Sequence, residues 1–315
     1  MARQTRPTRK APQRGKTGAK LSFPLVIILL LIIAGLVLSA VYELRGDDSE
    51  YAENDPVTAA GEKLAVHFID VGQGDSELIT YGDKAMLIDA GEAEYGATVV
   101  SYLQKLGITK LDYIVATHPH SDHIGGLPEV IANFDVDKII TPKLPGDMTP
   151  TTRVFENFID AAAAKGYKLT AAAAGDKYSL GEAEFTVLSP GKNADFSDLN
   201  DYSVVIRLVY KDSSWLFTGD AEKPAEEAMI ESGQNLHADI LKVGHHGSAN
   251  SSTDEFLAAV APRWAVIEVG AGNSYNHPTG ETLTRLEGYA KIFRTDVDGN
   301  IVFETDGKVI TRVNN

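Results

Sequence analysis

Thr117-His118-Pro119-His120-Ser121-Asp122-His123-Ile124-Gly125-Gly126 decides how this chain is read. Three imidazoles and a carboxylate fall within the six residues 118–123. They follow Tyr113-Ile114-Val115-Ala116-Thr117, an apolar, β-branched run that predicts a strand. In extended chain, side chains two apart point the same way, so His118 and His120 can grip one metal together. Asp122 and His123 lie where the chain turns toward a helix expected to begin near Ile124, and can reach a second metal. Neutral imidazole and carboxylate suit zinc, manganese or iron. The alternative is a polar loop whose histidines only cap and hydrogen-bond. Four ligand-type residues packed this tightly weigh against it.

The same chemistry recurs downstream. Asp220 closes the predicted strand Trp215-Leu216-Phe217-Thr218-Gly219-Asp220, where it can either bridge two metals or cap the next helix. His245-His246-Gly247-Ser248 follows a predicted strand at 239–243 and suits metal or phosphate contact. Asn276-His277-Pro278-Thr279 follows another at 265–269. Six of the eight histidines (118, 120, 123, 245, 246, 277) thus occupy strand-to-helix loops. In open α/β folds, sites collect beyond the carboxyl ends of strands, so the clustering predicts one common site. His67, inside a strand pattern, and His237 are assigned no role. Asp70-Val71-Gly72-Gln73-Gly74-Asp75-Ser76 reads as a phosphate cradle or, more plainly, a tight hairpin. Asp75 is a candidate for orienting water or substrate. Asp89 can orient the histidine loop as a hydrogen-bond acceptor. Lys242, in a strand, can offer positive charge to an anionic substrate or simply be solvated.

Around these motifs, residues 63–315 alternate strand and helix patterns without a break, which predicts one α/β domain of two sheets covered by helices. Strands are expected at 64–70, 76–81, 84–89, 177–180, 184–188, 202–210 and 214–218. Helices are expected at 98–106, 154–165, 222–231 and 254–260. The chain has no cysteine, which excludes disulfides, thiolate metal sites and thiol catalysis.

Charge is segregated. Residues 1–42 hold seven Lys and Arg and no acid. Of the 29 basic residues, 22 remain for 43–315 against all 44 acids, a net charge near −22. Such a body attracts nucleic acid poorly except at a metal or a local basic groove. Within the basic part, Phe23–Tyr42 is an uncharged run of 20 residues, long enough at ~1.5 Å per residue to cross a bilayer core. Basic residues before it and acids after it predict a cytoplasmic tail (1–22), a transmembrane anchor (23–42), a linker (43–62) and an outward-facing body. A cleaved signal peptide is the rival reading.

Taken together and in order, these motifs resemble the metallo-β-lactamase fold superfamily. Its H-x-H-x-D-H signature stands as His118, His120, Asp122 and His123. Its bridging aspartate matches Asp220, and its final histidine best matches His277. The resemblance implies an αββα sandwich, here preceded by one transmembrane helix, and two divalent metals, zinc or manganese. It places His118, His120 and Asp220 on one metal, and Asp122, His123 and Asp220 on the other, completed by His277 or His245. His245, His246 or Lys242 would stabilise developing charge. Within the superfamily, 68–76, 200–205, 241–248, 276–278 and 294–301 are similar to the C-terminal hydrolase domain of ComEC-type competence proteins. That implies a phosphodiesterase or nuclease acting on DNA outside the membrane. A β-lactamase-like amide or ester hydrolase and a non-enzymatic envelope binding module are the alternatives. One departure stands out. Asn200 and Asp201 occupy the place of the histidine that usually completes the first metal, which favours manganese.

Overall fold

The structure, a computed structural model, describes residues 62–313. The chain first lays down β1 (Leu64–Phe68), β2 (Glu77–Tyr81), β3 (Lys84–Ile88), β4 (Lys110–Val115), β5 (Asp135–Pro142) and β6 (Leu169–Ala172). It then crosses to a second sheet with β7 (Lys177–Leu180), β8 (Ala183–Ser189), β9 (Val205–Tyr210), β10 (Ser213–Phe217), β11 (Ile240–Lys242), β12 (Trp264–Ile267) and β13 (Lys291–Arg294). It returns to the first with β14 (Ile301–Thr305) and β15 (Ile310–Val313). The sheet orders are β15-β14-β1-β2-β3-β4-β5-β6 and β13-β12-β11-β10-β9-β8-β7. Strands β3 to β6 run parallel, as do β10 to β13, so both sheets send several carboxyl ends the same way.

Alternation along the strands sorts residues into layers. Leu64, Val66 and Phe68 of β1, Met86 and Ile88 of β3, and Trp215 and Phe217 of β10 fill the space between the sheets. Ala85, Leu87 and Ile114 face the opposite way. They pack on α1 (Gly96–Lys105), with α2 (Ser121–Ile124), α3 (Leu127–Asn133) and α4 (Arg153–Ala164) in the same layer. Leu216, Leu241 and Ile267 likewise meet α5 (Lys223–Glu231), α6 (Asp254–Val260) and α7 (Gly280–Glu287) on the far side. Helix, sheet, sheet and helix layers follow in turn.

The expected elements reappear with shifted ends, and one shift matters. The helix placed near Ile124 begins at Ser121, with His120 still extended as its N-cap residue. It stops after one turn because Gly126 packs against the 90–91 turn, its N–H donating to Gly91 at 2.9 Å. A Cβ there would collide with the Ala90 carbonyl oxygen.

The membrane placement is corrected. No helix among the described residues is long and apolar enough to cross a membrane. The Phe23–Tyr42 run and the 1–22 tail lie outside the described residues. The single-pass, outward-facing localisation is therefore withdrawn.

His67 shows how the outer face of β1 is closed. Its Nδ1 lies 2.9 Å from the Tyr102 hydroxyl of α1. Burial pushes its pKa down to about 4, against the opposing pull of Glu304. The folded state thus favours neutral His67. That stability is fully present above the ordinary pKa near 6.5 and is lost as pH falls through 4, by about 3 kcal/mol in the limit. Urea midpoints measured between pH 7 and 4.5 should fall less steeply in His67→Phe than in wild type. Equal slopes would contradict this account.

Candidate metal centre

The site forms where the parallel strands of both sheets end. The turn after β3 brings Asp89, and the loop after β4 brings His118, His120, Asp122 and His123. The loop after β10 brings Asp220, and the one after β11 brings His245 and His246. Asp220 does not cap the next helix. The N-cap of α5 is Glu222, and the carboxylate that accepts the helix N–H groups of Glu222 and Ala225 belongs to Asp201. Asp201 is thereby committed to structure, and Asn200 alone of that pair lines the cleft.

Asp220 divides the histidines into two sets. Its Oδ2 lies 3.7 Å from His118 Nε2 and 3.7 Å from His245 Nε2. Its Oδ1 lies 3.2 Å from His123 Nε2 and 3.6 Å from His246 Nε2. His118 Nε2 is also 3.0 Å from His120 Nδ1, and donor atoms of His118, His120 and Asp220 can all meet one ion. On the other side, His246 Nε2 stands 3.3 Å from Asp122 Oδ2.

The far nitrogens of these rings are already taken, which fixes the direction of the near ones. His123 Nδ1 meets Asp89 Oδ2 at 2.8 Å, while Asp89 Oδ1 accepts from Thr117 N–H. His246 Nδ1 meets the Glu268 carbonyl oxygen at 2.9 Å. His245 Nδ1 meets Glu222 Oε1 at 2.7 Å. Asp75, His123 and His246 also form a tight group of possible ligand atoms. Asp75, however, approaches both rings from the Nδ1 side, at 3.8 and 3.2 Å, so it supports them from behind. His245 and His246 present their rings to different oxygens of Asp220, and both have positive φ, 46° and 51°. Two consecutive non-glycine residues in that region are strained, which tertiary contacts must offset.

Three sequence-named residues take other places. His277 lies outside the tight donor groups, although its buried Nδ1 has no hydrogen-bond partner among the described residues. It stacks beside Tyr275 in the cleft wall, its ring 5.3 Å from that of His245. Lys242 is fully buried and does not reach the cleft; its Nζ lies 2.6 Å from Asp75 Oδ2. Asp75 is buried as well, and so orients histidine rings rather than water or substrate. Of the 70–76 turn, only Gln73 lines the cleft. The Asp75 N–H donates to the Asp122 carbonyl, pinning the turn to the histidine loop.

The electrostatics follow from this crowding. Burial disfavours charge on His123 and His246, but Asp220 with Asp75 outweighs it. The His123 pKa is held well above the ordinary value and that of His246 rises to about 10. Burial works equally against the Asp220 carboxylate, yet His123 and His246 hold it well below the usual range. His118 differs. Burial and the neighbouring His123 keep it neutral, as a nitrogen ligand must be. Buried Asp220 Oδ1, His123 Nε2, His246 Nε2 and Asn200 Oδ1 have no hydrogen-bond partner among the described residues. Orphaned acceptors and imidazole nitrogens converging on shared points fit divalent metals, whose binding would displace the imidazolium protons. The group Asp75, Glu77 and Glu268 does not fit one, because the Lys242 ammonium already supplies its positive charge.

The donors open into a cleft of about 290 Å³ lined by Gln73, His120, Ser121, Asp122, Asn200, Asp220, His245, His246, Tyr275 and His277. No lysine or arginine is among them. Sequence reasoning missed Glu222, Gln73, Tyr275 and the Glu77–Glu268 pair. The pair left a signal, since each acid interrupts an apolar strand run. Glu222 left none, since an acid in a helix's first turn is commonplace.

Comparison with known proteins agrees with this geometry. Residues 69–267 match the Metallo-beta-lactamase superfamily. ComE operon protein 3 of Bacillus subtilis is 31% identical over 78% of this chain and 34% of its own length. Competence protein ComA of Neisseria gonorrhoeae is 32% identical over 88% of this chain and 37% of its own. The chain thus spans about a third of the length of these curated relatives. Among solved structures, the fold is shared with the metallo-beta-lactamase fold protein YhfI from Bacillus subtilis. The TM-score is 0.50 at 15% identity, covering 78% of this chain and all of that one. The CmlA beta-hydroxylase E377D mutant gives a TM-score of 0.52 at 14% identity, over 85% of this chain and 59% of that one. With H-x-H-x-D-H and Asp220 converging at the strand ends of two facing sheets, the chain belongs to the metallo-beta-lactamase superfamily.

Proposed function

We propose that this protein is a two-metal hydrolase of phosphodiesters, acting on DNA. The observation that carries the reading is Asp220, whose two oxygens face two separate nitrogen sets in a cleft open to solvent. His118, His120, His245 and Asp220 would hold one ion; Asp122, His123, His246 and Asp220 would hold the other. Divalent ions bound there supply Lewis acidity and lower the pKa of bound water. The protein's own groups do the rest. Asp89, Glu222 and the Glu268 carbonyl keep the ligand rings aimed. Gln73 and Asn200 offer amides to a phosphate, and His277 offers an imidazole at the cleft wall.

His245 answers the missing third histidine. The manganese preference expected from Asn200 therefore loses its basis, because three imidazoles suit zinc as well. The substrate class rests on likeness to Competence protein ComA and to Recombination protein 2 of Haemophilus influenzae, the latter 30% identical over 75% of this chain. The solvent-open cleft disfavours the binding-module alternative, and its polar walls disfavour a closed pocket for a small amide. With an acidic body and no cationic lining, affinity for DNA should be low.

The test incubates the full chain, with zinc and manganese separately, with bis(p-nitrophenyl) phosphate, single- and double-stranded DNA and a chromogenic β-lactam. Phosphodiester cleavage is expected with at least one metal, lost on chelation and in Asp122→Ala. Faster opening of the β-lactam than of any phosphodiester, under matched metals, would overturn the assignment.

A further inference from the structure

Tyr275 stands 63% exposed at the lip of the metal cleft, an unusual place for a large aromatic ring. Its loop, between β12 and α7, is braced across its width by the Asn273 side chain. Asn273 Nδ2 donates to the carbonyl oxygens of Gly270 at 2.9 Å and His277 at 2.6 Å. Asn273 Oδ1 accepts the backbone N–H groups of Tyr275 and His277, each at 3.1 Å. That uses both donors and both acceptor positions of one amide. Asn276, between the two rings, takes the left-handed conformation, with φ of 59°. The result is a near-parallel ring pair. Tyr275 and His277 centroids lie 5.9 Å apart at 27°, with His277 half-buried behind and Tyr275 facing solvent.

A fixed, exposed ring beside a site for anionic groups calls for a substrate with a flat face next to its phosphate. Among the described residues no lysine or arginine lines the cleft, so apart from bound metals no side-chain ammonium or guanidinium grips a polyanion there. Base–aromatic stacking can supply affinity instead, and every nucleobase has a face for it. A paired base in a duplex does not, because both its faces are already stacked. Resting on the phosphodiesterase reading, we propose that Tyr275, backed by His277, is a stacking platform for an unpaired nucleobase adjoining the scissile phosphodiester. The substrate class is then single-stranded nucleic acid or a frayed strand end. Tyr275 acts as a specificity-determining residue with no part in the chemical step.

The experiment uses the full chain and two pairs of probes. The first pair is the p-nitrophenyl ester of thymidine 5′-phosphate and the base-free methyl p-nitrophenyl phosphate, compared by kcat/KM. Wild type should prefer the base-bearing ester, and Tyr275→Ala should cut that preference about tenfold. Tyr275→Phe should keep it, as should Tyr289→Ala, which removes a partly exposed tyrosine outside the cleft lining. An unchanged preference in Tyr275→Ala would overturn the proposal, as would equal loss in Tyr275→Phe. The second pair is a short oligothymidylate and a duplex of the same length, bound in chelator and followed by fluorescence anisotropy. Tyr275→Ala should weaken the single strand about tenfold more than the duplex; equal weakening, or none, would sink the platform. If wild type hydrolyses neither ester with any metal, the phosphodiesterase reading fails. The binding pair then decides the platform alone.

Discussion

Replacing Asp220 by alanine is expected to abolish turnover and to strip the protein of metal together. The fall in kcat should be on the order of 10³-fold or more, the scale for removing a principal electrostatic group from a catalytic site. The reason is its position between two donor sets, 3.7 Å from His118 and His245 on one side and 3.2 and 3.6 Å from His123 and His246 on the other. Without it, the five imidazoles of the two sets are left with Asp122 as the remaining cleft-side carboxylate. Removing His277, which belongs to neither set, should leave bound metal unchanged. Elemental analysis of dialysed wild type, Asp220→Ala and His277→Ala checks this directly. Wild-type metal content in Asp220→Ala would show that the carboxylate does not bridge.

Replacing Lys242 by methionine is expected to destabilise the fold by about 3–5 kcal/mol, the cost of breaking a buried charge cluster by removing one partner. Lys242 is fully buried among Asp75, Glu77 and Glu268. Burial opposes its charge, but Asp75 and Glu268 overcome that and raise its pKa. Burial and Asp75 lift the Glu268 carboxyl to about 8, and burial with Glu268 raises Glu77 well above its usual range. These two acids can therefore stay protonated, which limits the damage. In wild type Lys242, with His123 and His246, overcomes the burial of Asp75 and holds it down to about 2; the variant leaves that buried carboxylate only the two histidines. The urea midpoint of Lys242→Met should drop steeply. Metal affinity should also weaken, because Asp75 steadies His123 and His246. A variant as stable as wild type would mean that the ammonium is dispensable to the cluster.

How far the sequence could be read depends on the range of the interaction involved. The H-x-H-x-D-H loop was legible because its residues are neighbours in the chain, following a strand whose alternation is plain. Asp220 was recognisable as a strand-end carboxylate, but its choice between bridge and cap turned on Asp201, which caps α5 from a distant loop. The ligand among His245, His246 and His277 could not be chosen from spacing. In the structure both His245 and His246, at positive φ, stand beside Asp220, one at each oxygen. Lys242 read as a possible substrate contact because one strand does not reveal what its neighbours carry. Glu77 on β2 and Glu268, just past β12, enclose it only once the sheets face each other. Strands β5, β6, β13, β14 and β15 escaped notice, β5 for a related reason. Charged residues such as Asp135, Asp137 and Lys138 break its apolar pattern, and pairing with neighbours sustains it.

The central claim is that Asp220 lies between two bound metals. Anomalous scattering from crystals of the full chain grown with manganese, collected at the manganese edge, tests it most directly. The account predicts two peaks per chain, one among His118, His120 and His245, the other among Asp122, His123 and His246, with one oxygen of Asp220 on each. A single peak, or a second peak that Asp220 does not touch, would contradict it.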